Sequence, residues 1–130
     1  MNPVGDKKSK GYQVATTGLT IRGVPYRPGG TTPSGFDCSG FAQYVFRRHG
    51  LRLPREVEDQ YREGKSIKRK DIVAGDLLFF KTTGKDATHV AIAIGGGRFV
   101  HAPSSTGVVR VEPLSSTYWS PRFLGARRVK

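Results

Sequence analysis

The order of its hydrophobic patterns predicts that this chain folds as an α+β domain. Before residue 65, apolar residues recur at helical spacing, whereas the segments beyond residue 70 are short, rich in β-branched and aromatic residues, and separated by glycines. This order is typical of helices that pack on one face of an antiparallel sheet. With 130 residues the chain is long enough for one core, and we expect neither a second domain nor an internal repeat.

The chain before the first cysteine predicts a tail, a weak helix and a loop. Residues 1–11 are polar and rich in lysine, so we expect a flexible tail ahead of a domain that spans residues 12–130. Residues 12–23 (YQVATTGLTIRG) predict a first helix, weakened by threonines and a central glycine. Residues 24–35 (VPYRPGGTTPSG) predict an irregular loop, because proline and glycine are too dense there for regular structure.

The clearest helix follows that loop in residues 36–50 (FDCSGFAQYVFRRHG). Asp37 is a favourable N-cap, and Gly50 is a typical stop signal. Cys38 is then the first helical residue, one turn before Ala42, so its sulfur lies over the face that packs inward.

A second short helix and a set of strands complete the predicted fold. The segment LPREVEDQYREG, residues 53–64, predicts a helix that ends at its last glycine. The strand-like segments are GDLLFFK, THVAIAIGGGRFVHA, GVVRVEPL and RFLGARRV. Their order predicts an antiparallel meander, with the cysteine helix lying on one face of the sheet.

Two histidines lie on the predicted hairpin THVAIAIGGGRFVHA. A three-residue turn at residues 95–97 pairs Ile94 with Arg98, which places His89 and His101 on the same face as diagonal neighbours, about 7–8 Å apart at the backbone. A two-residue turn would put the histidines on opposite faces. Three consecutive glycines favour the longer turn, because glycine readily adopts left-handed backbone angles.

The same register sorts the other residues of the hairpin by face. Ala91 and Ala93 share the face of the histidines, and their small size is expected to leave room for the end of the cysteine helix. Val90, Ile92 and Ile94 point to the opposite face.

A cysteine and two histidines brought together suit nucleophilic catalysis. A free thiol has a pKa of about 8.5, and both a helix N-terminus and a nearby imidazolium favour the reactive thiolate. His89 would accept the proton and deliver it to a leaving amine, while His101 would fix the tautomer of His89. Backbone N–H groups at the start of the helix would stabilise an oxyanion.

Two other interpretations of these residues stay open. A lone cysteine on an inward helix position is commonly inert packing. One cysteine with two histidines also suits zinc, although spacings of 51 and 12 residues match no short metal motif. His49 is expected to sit favourably at a helix C-terminus without a role in the site.

The charge of the chain is strongly positive: 22 Lys and Arg against 10 Asp and Glu give +12. Such a surface attracts polyanions, whether nucleic acid, anionic lipid or an acidic wall polymer. The sequence lacks the signatures of RNA-recognition sheets and zinc fingers, so we do not expect nucleic acid as a partner. We find no apolar stretch of membrane-spanning length and no signal peptide in the chain as given.

Several motifs together resemble one protein family. They are GVPYRPGGTTPSG, FDCSG, LPR, GDLLFFK, THV, HAP and YWSPRFLGARR, spread over about residues 14–128. In type, order and spacing they are similar to the NlpC/P60 family of cell-wall cysteine peptidases, and most of all to its small lipoprotein murein endopeptidases. The resemblance implies a papain-like α+β fold for residues 12–130 and hydrolysis of amide bonds in peptidoglycan stem peptides, of the murein endopeptidase or γ-D-glutamyl-diaminoacid type.

The resemblance also implies roles for individual residues. Cys38 matches the nucleophile, His89 the general base, His101 the orienting residue and Tyr26 a loop tyrosine whose hydroxyl assists the oxyanion.

Three further matches concern the substrate groove. They are Asp37, Ser39 and Arg55, each of which also has a purely structural interpretation as cap, backbone partner or brace. One departure is Pro28, where many members of the family carry an aromatic residue, and the departure affects the expected subsites.

The partners implied are peptidoglycan stem peptides, with no cofactor, no metal and no nucleic acid. We expect a monomer that acts outside the cytoplasm, as an excised mature domain or as part of a lipid-anchored precursor. The alternative function is a non-catalytic module that binds the cell wall or another polyanion.

Overall fold

The computed structural model describes residues 1–104 and 107–129, and within them the chain forms three α-helices and eight β-strands. The helices are α1 (Lys10–Thr20), α2 (Cys38–Arg47) and α3 (Val57–Gln60). The strands are β1 (Thr31–Thr32), β2 (Gly35–Phe36), β3 (Lys65–Ile67), β4 (Leu77–Phe80), β5 (His89–Gly95), β6 (Arg98–His101), β7 (Arg110–Pro113) and β8 (Phe123–Arg128). The predicted α+β class, with the cysteine helix packed on an antiparallel sheet, is confirmed.

The main sheet has the strand order β3-β8-β4-β5-β6-β7, and every neighbouring pair is antiparallel. The predicted meander is confirmed for the four consecutive strands β4 to β7. It is wrong for β8, which returns to lie between β3 and β4. Alternation of side chains predicts that a strand exists, but it does not determine which sheet edge the strand joins.

The β5–β6 hairpin has the predicted register through most of its length. Ala93 pairs with Phe99, as the predicted constant sum requires. The predicted pairing of Ile94 with Arg98 is wrong, because Gly95 pairs with Arg98 and a register shift lies just before it. A two-residue turn combined with a one-residue bulge gives the same assignment of faces as a three-residue loop. All three turn glycines have positive φ, which explains why glycine fills each position.

The two faces of the sheet carry different cores. Helices α1 and α2 cover one face, and the core there includes Val14, Ala15, Leu19, Phe41, Ala42, Val45, Phe46, Val90, Ile92, Ile94 and Val100. The opposite face carries Leu78, Phe80, Ala91, Ala93, Phe99, Leu114, Trp119 and Ala126. We refer to these as the helix-covered face and the histidine face.

The prediction that Ala91 and Ala93 leave room for the cysteine helix is wrong. Both alanines lie on the histidine face, which the chain after β7 covers with Leu114 and Trp119. The helices instead pack where Ile92 and its neighbours offer larger apolar side chains, because burying more apolar surface stabilises that arrangement more.

The start of the chain contacts the sheet and leads directly into α1. Pro3 is buried, and the backbone N–H of Val4 donates to the Ile94 carbonyl at 2.8 Å. Ser9 caps α1 by accepting from the Tyr12 N–H. The division into residues 1–11 and 12–130 stays a prediction, and the last residue of that domain lies outside the described residues, as do residues 105 and 106.

The predicted second helix is confirmed in type but is only one turn long, at α3. The predicted stop at Gly64, with φ of +69°, instead lies four residues beyond the end of α3, immediately before β3.

Candidate active site

Cys38 is the first residue of α2, as predicted. Asp37 caps the helix, and its Oδ1 accepts the Gly40 N–H at 2.7 Å. The Cys38 side chain is partly exposed and packs against the core of the helix-covered face. The sulfur therefore sits where the helix meets solvent.

The glycine-rich loop before α2 holds the start of that helix. The Asp37 N–H donates to the Gly30 carbonyl at 3.1 Å. A Cβ on Gly40 would lie 1.9 Å from the same carbonyl oxygen, so only glycine fits there. The glycines of GG and FDCSG thus let two backbones approach closely and fix where the cysteine begins.

The two histidines share one face and contact each other. His89 is the first residue of β5 and His101 the last of β6, and both are buried. His89 Nε2 and His101 Nδ1 lie 2.7 Å apart, a hydrogen-bond distance. The predicted shared face is confirmed.

Cys38 and His89 both line a cleft of about 270 Å³. The other lining residues are Tyr26, Thr82, Thr83, Thr88, Pro103, Ser104, Tyr118 and Trp119. Since His101 engages Nε2 of His89, Nδ1 is the ring nitrogen available to exchange a proton in this cleft. The thiol and the imidazole therefore border the same space, which is open to a substrate.

A carboxylate, that of Glu112, lies on the side of His101 opposite to His89. His101 Nε2 lies 2.7 Å from Glu112 Oε2, and Glu112 lies 3.7 Å from the Arg110 guanidinium. The sequence pattern does not single out Glu112. Knowledge of the register between β6 and β7 would identify Glu112, because Glu112 pairs with Phe99 on the face that carries His101. The sequence does not give that register, because no short turn connects the two strands.

Burial sets the ionisation of the site at rest. It raises the pKa of the Cys38 thiol, and the nearby Asp37 carboxylate adds to this, while backbone N–H groups, that of Val90 first, oppose it. Burial, followed by the neighbouring His101, holds the pKa of His89 well below its usual value. Burial thus acts against the expected stabilisation of the thiolate by the helix start and an imidazolium, and it favours the neutral forms of the thiol and of the imidazole.

The three residues predicted to line a substrate groove form one network next to Cys38. Arg55 donates to Asp37 Oδ2 and to Ser39 Oγ, both at 2.7 Å. The buried Gln60 amide donates to the Ser39 and Pro54 carbonyls, which ties α2 to the segment that carries Arg55. The structure thus brings the three together and also gives each a structural partner.

Of the remaining residues singled out in the sequence, one lines the cleft and two do not. Tyr26 lines the cleft, and burial and the adjacent Cys38 raise the pKa of its hydroxyl. Pro28 is exposed and is not part of the cleft lining. His49 contacts Thr17 Oγ1 at 2.7 Å, outside the cleft.

The geometry does not favour the zinc interpretation. The facing nitrogens of His89 and His101 contact each other, so they do not point at a common ion with Cys38. Within residues 1–104 and 107–129 we find no group of three or more His, Cys, Asp or Glu side chains arranged to hold a metal. In the same part of the chain, no helix has the length and apolar character needed to cross a membrane.

The fold and the cleft define a class of protein: papain-like α+β domains that place a cysteine at a helix start beside a histidine of an antiparallel sheet. The family model described as NlpC/P60 family matches residues 23–128. The chain belongs to the NlpC/P60 family.

Comparison with individual proteins agrees with this assignment. The chain is 46% identical over 109 residues to the murein DD-endopeptidase MepS/murein LD-carboxypeptidase of Escherichia coli K12, covering 83% of this chain and 57% of the relative. It is 42% identical over 120 residues to the gamma-DL-glutamyl hydrolase of Bacillus subtilis, covering 89% and 29%. An NlpC/P60 family protein of Bacillus cereus superposes with a TM-score of 0.87 at 34% identity, covering 92% of this chain and 40% of that one. The chain thus spans 29% to 57% of the two curated relatives.

Proposed function

We propose that this chain is a cysteine peptidase that hydrolyses amide bonds in peptidoglycan stem peptides. Cys38 is the nucleophile, His89 the general base and acid, and His101 the residue that orients His89. One observation carries the proposal: thiol and imidazole line the same cleft, and the far nitrogen of that imidazole lies 2.7 Å from a second buried imidazole.

The reaction starts from the neutral thiol and the neutral imidazole, the forms that burial favours. When a substrate carbonyl enters the cleft, the thiol proton passes to His89 Nδ1 as the sulfur forms a bond to the carbonyl carbon. The oxyanion then takes hydrogen bonds from backbone N–H groups at the start of α2 and from the Tyr26 hydroxyl. His89 returns the proton to the leaving nitrogen, which departs as an amine and leaves a thioester on Cys38.

A water molecule completes the reaction. His89 Nδ1 takes a proton from the water as its oxygen attacks the thioester carbonyl, and the sulfur leaves to recover that proton. The products are a carboxylate and an amine, and the enzyme returns to its starting state. No cofactor is required by these steps.

The network of Asp37, Ser39 and Arg55 supplies polar groups beside the nucleophile. Asp37 and Ser39 flank Cys38 in sequence, and Arg55 donates hydrogen bonds to both of them, so the three residues are placed to bind charged ends of a peptide. The Arg55 guanidinium lies beside the Asp37 carboxylate, which keeps that carboxylate paired next to the thiol.

The names of the relatives support the substrate class. The Escherichia coli relative is named a murein DD-endopeptidase/murein LD-carboxypeptidase, and the Bacillus subtilis relative is named a gamma-DL-glutamyl hydrolase. We therefore place the action of this chain outside the cytoplasm, on wall peptides, and we expect a monomer. The charge of +12 would hold the protein near anionic wall polymers at low salt.

Digestion of muropeptides tests the proposal directly. The protein and its Cys38→Ala variant are incubated with a defined muropeptide mixture, and mass spectrometry identifies any new amine. Cleavage that the substitution abolishes supports the peptidase. Equal binding of muropeptides without cleavage in either sample would support the alternative, a non-catalytic wall-binding module.

A further inference from the structure

The orienting histidine has a second partner on its far side. His101 is fully buried, and its Nε2 contacts Glu112 Oε2 at 2.7 Å while its Nδ1 contacts His89. The Glu112 side chain is 17% exposed, so it lies at the edge of the histidine face with one oxygen turned inward. Neither the family resemblance nor the predicted triad assigns a role to this carboxylate.

The ionised Glu112 carboxylate fixes the direction of both hydrogen bonds that link it through His101 to His89. Since Glu112 accepts only, His101 must carry its proton on Nε2 and present Nδ1 as an acceptor. His89 must then donate from Nε2, and its Nδ1 holds a free lone pair. That lone pair is on the nitrogen available to the cleft, where the thiol proton must be received.

The surroundings of Glu112 keep it ionised. Its hydrogen bond with His101 lowers the pKa of the carboxyl group most, and the Trp119 indole and the Arg110 guanidinium act in the same direction. The charged or titratable groups that face His101 are His89 from β5 and Glu112 and Arg110 from β7. The negative charge of Glu112 therefore opposes the effect of burial on His101 and stabilises a positive charge on that imidazole.

We propose that Glu112 is a positioning residue: through His101 it fixes the tautomer of His89 and stabilises the imidazolium that forms when His89 takes the proton of Cys38. This inference rests on the proposed function. It extends the predicted triad to a relay of four residues, with the carboxylate at the end remote from the sulfur.

Alkylation of Cys38 tests the inference without any substrate, because Cys38 is the only cysteine in the chain. The rate of reaction with iodoacetamide is measured from pH 5 to 10 for the wild type, Glu112→Gln and the control Glu63→Gln. Glu112→Gln keeps the shape of the side chain and removes its charge, and Glu63→Gln makes the same change at a residue that is not part of the hydrogen bonds linking His89, His101 and Glu112.

We expect Glu112→Gln to slow alkylation about tenfold at pH 7, less than the roughly 10⁴-fold effect of an acid that touches the catalytic base itself. The rates should converge at alkaline pH, where the thiolate forms without help from the imidazole. Glu63→Gln should match the wild type throughout. A folded Glu112→Gln protein with the wild-type rate at every pH would overturn the inference.

A second measurement uses the unaltered protein. Nitrogen-15 chemical shifts of the histidine rings report which nitrogen carries the proton. We expect both His89 and His101 to be neutral at pH 7 with the proton on Nε2. A proton on Nδ1 of His101 would overturn the inference, even if the variant fails to fold.

The two proposals fail in different ways. If the wild type cleaves no muropeptide while Glu112→Gln still slows alkylation, the peptidase proposal is wrong and the role of Glu112 stands. If the wild type cleaves muropeptides and Glu112→Gln does so equally well at every pH, with unchanged alkylation, the role of Glu112 is wrong and the peptidase proposal stands.

Discussion

The two faces of the sheet are built from the same strands but do different things. On the helix-covered face, β5 and β6 contribute Ile92 and Val100 to a large hydrophobic core. On the histidine face the same two strands place His89 and His101 among aromatic rings, with Trp119 stacked 4.9 Å from the His89 ring. One face stabilises the fold, and the other carries the ionisable groups.

The difference between the two faces depends on the register of the β5–β6 hairpin. Side chains alternate along a strand, so a one-residue slip would exchange the two faces and bury both imidazoles under the helices. The bulge before Gly95 prevents this, because it restores the parity that a simple two-residue turn would lose. The glycine turn therefore determines the position of the site, although it lies at the other end of β5.

The largest expected effect is on activity, from the histidine face. We expect His89→Ala to lower kcat/KM for muropeptides by about 10³-fold or more, because the variant loses the imidazole proposed to take the thiol proton. Steady-state kinetics on a defined muropeptide measures this. Near-UV circular dichroism checks that the variant is folded, and a folded variant that keeps more than a tenth of the activity would contradict the prediction.

The next effect is on stability, from the helix-covered face. We expect Ile92→Ala to reduce the free energy of unfolding by about 2–5 kcal/mol, since the side chain is fully buried and its loss leaves a cavity. Urea denaturation measures the change. Activity per folded molecule should stay near wild type, and a loss of activity as large as that of His89→Ala would show that the two faces are not separable in this way.

Much of this comparison was predictable from the sequence. Asp37, Gly50 and the apolar spacing define α2 locally, and the glycine turn defines which residues of the β5–β6 hairpin share a face. Contacts between distant segments were not predictable. The position of β8, the cover of the histidine face by Trp119 and the pairing of Glu112 all depend on long connections that carry no local signal.

The third expected effect is on the pH dependence of stability, which should come from the histidine face and not from the helix-covered face. Burial lowers the pKa of both His89 and His101 in the folded state. Below about pH 6.5 the unfolded chain binds protons that the native state does not, so the free energy of unfolding falls as the pH drops. Each such histidine contributes up to about 1.4 kcal/mol per pH unit.

Urea denaturation between pH 7.5 and 5 measures this slope. His89→Gln removes one titrating ring, and we expect a shallower slope for it than for the wild type. Ile92→Ala should shift the curve to lower stability without changing its slope. Equal slopes for His89→Gln and the wild type would contradict the assignment of acid sensitivity to the histidine face.

The smallest effect concerns the end of the histidine face remote from the cleft. A cavity of about 580 Å³ lies there beside the glycine turn, with Leu78 and Leu114 in its lining. Three basic residues, Arg69, Lys70 and Arg98, also line this cavity. The described residues in its lining include no Asp or Glu. This cavity shares no lining residue with the catalytic cleft, and it concentrates positive charge at one point of a basic surface.

If this end retains the protein on an anionic wall, Lys70→Glu combined with Arg98→Glu should weaken binding to purified sacculi about threefold to tenfold at low salt, and less at high salt where charges are screened. Co-sedimentation with sacculi at 20 and 300 mM salt measures it. Hydrolysis of a small soluble muropeptide should not change, because the substituted residues lie outside the cleft. Lys7→Glu with Lys8→Glu makes the same change of charge on the exposed N-terminal segment. If that control weakens binding equally, retention follows the total charge of the protein, and the two ends of the histidine face do not differ in this respect.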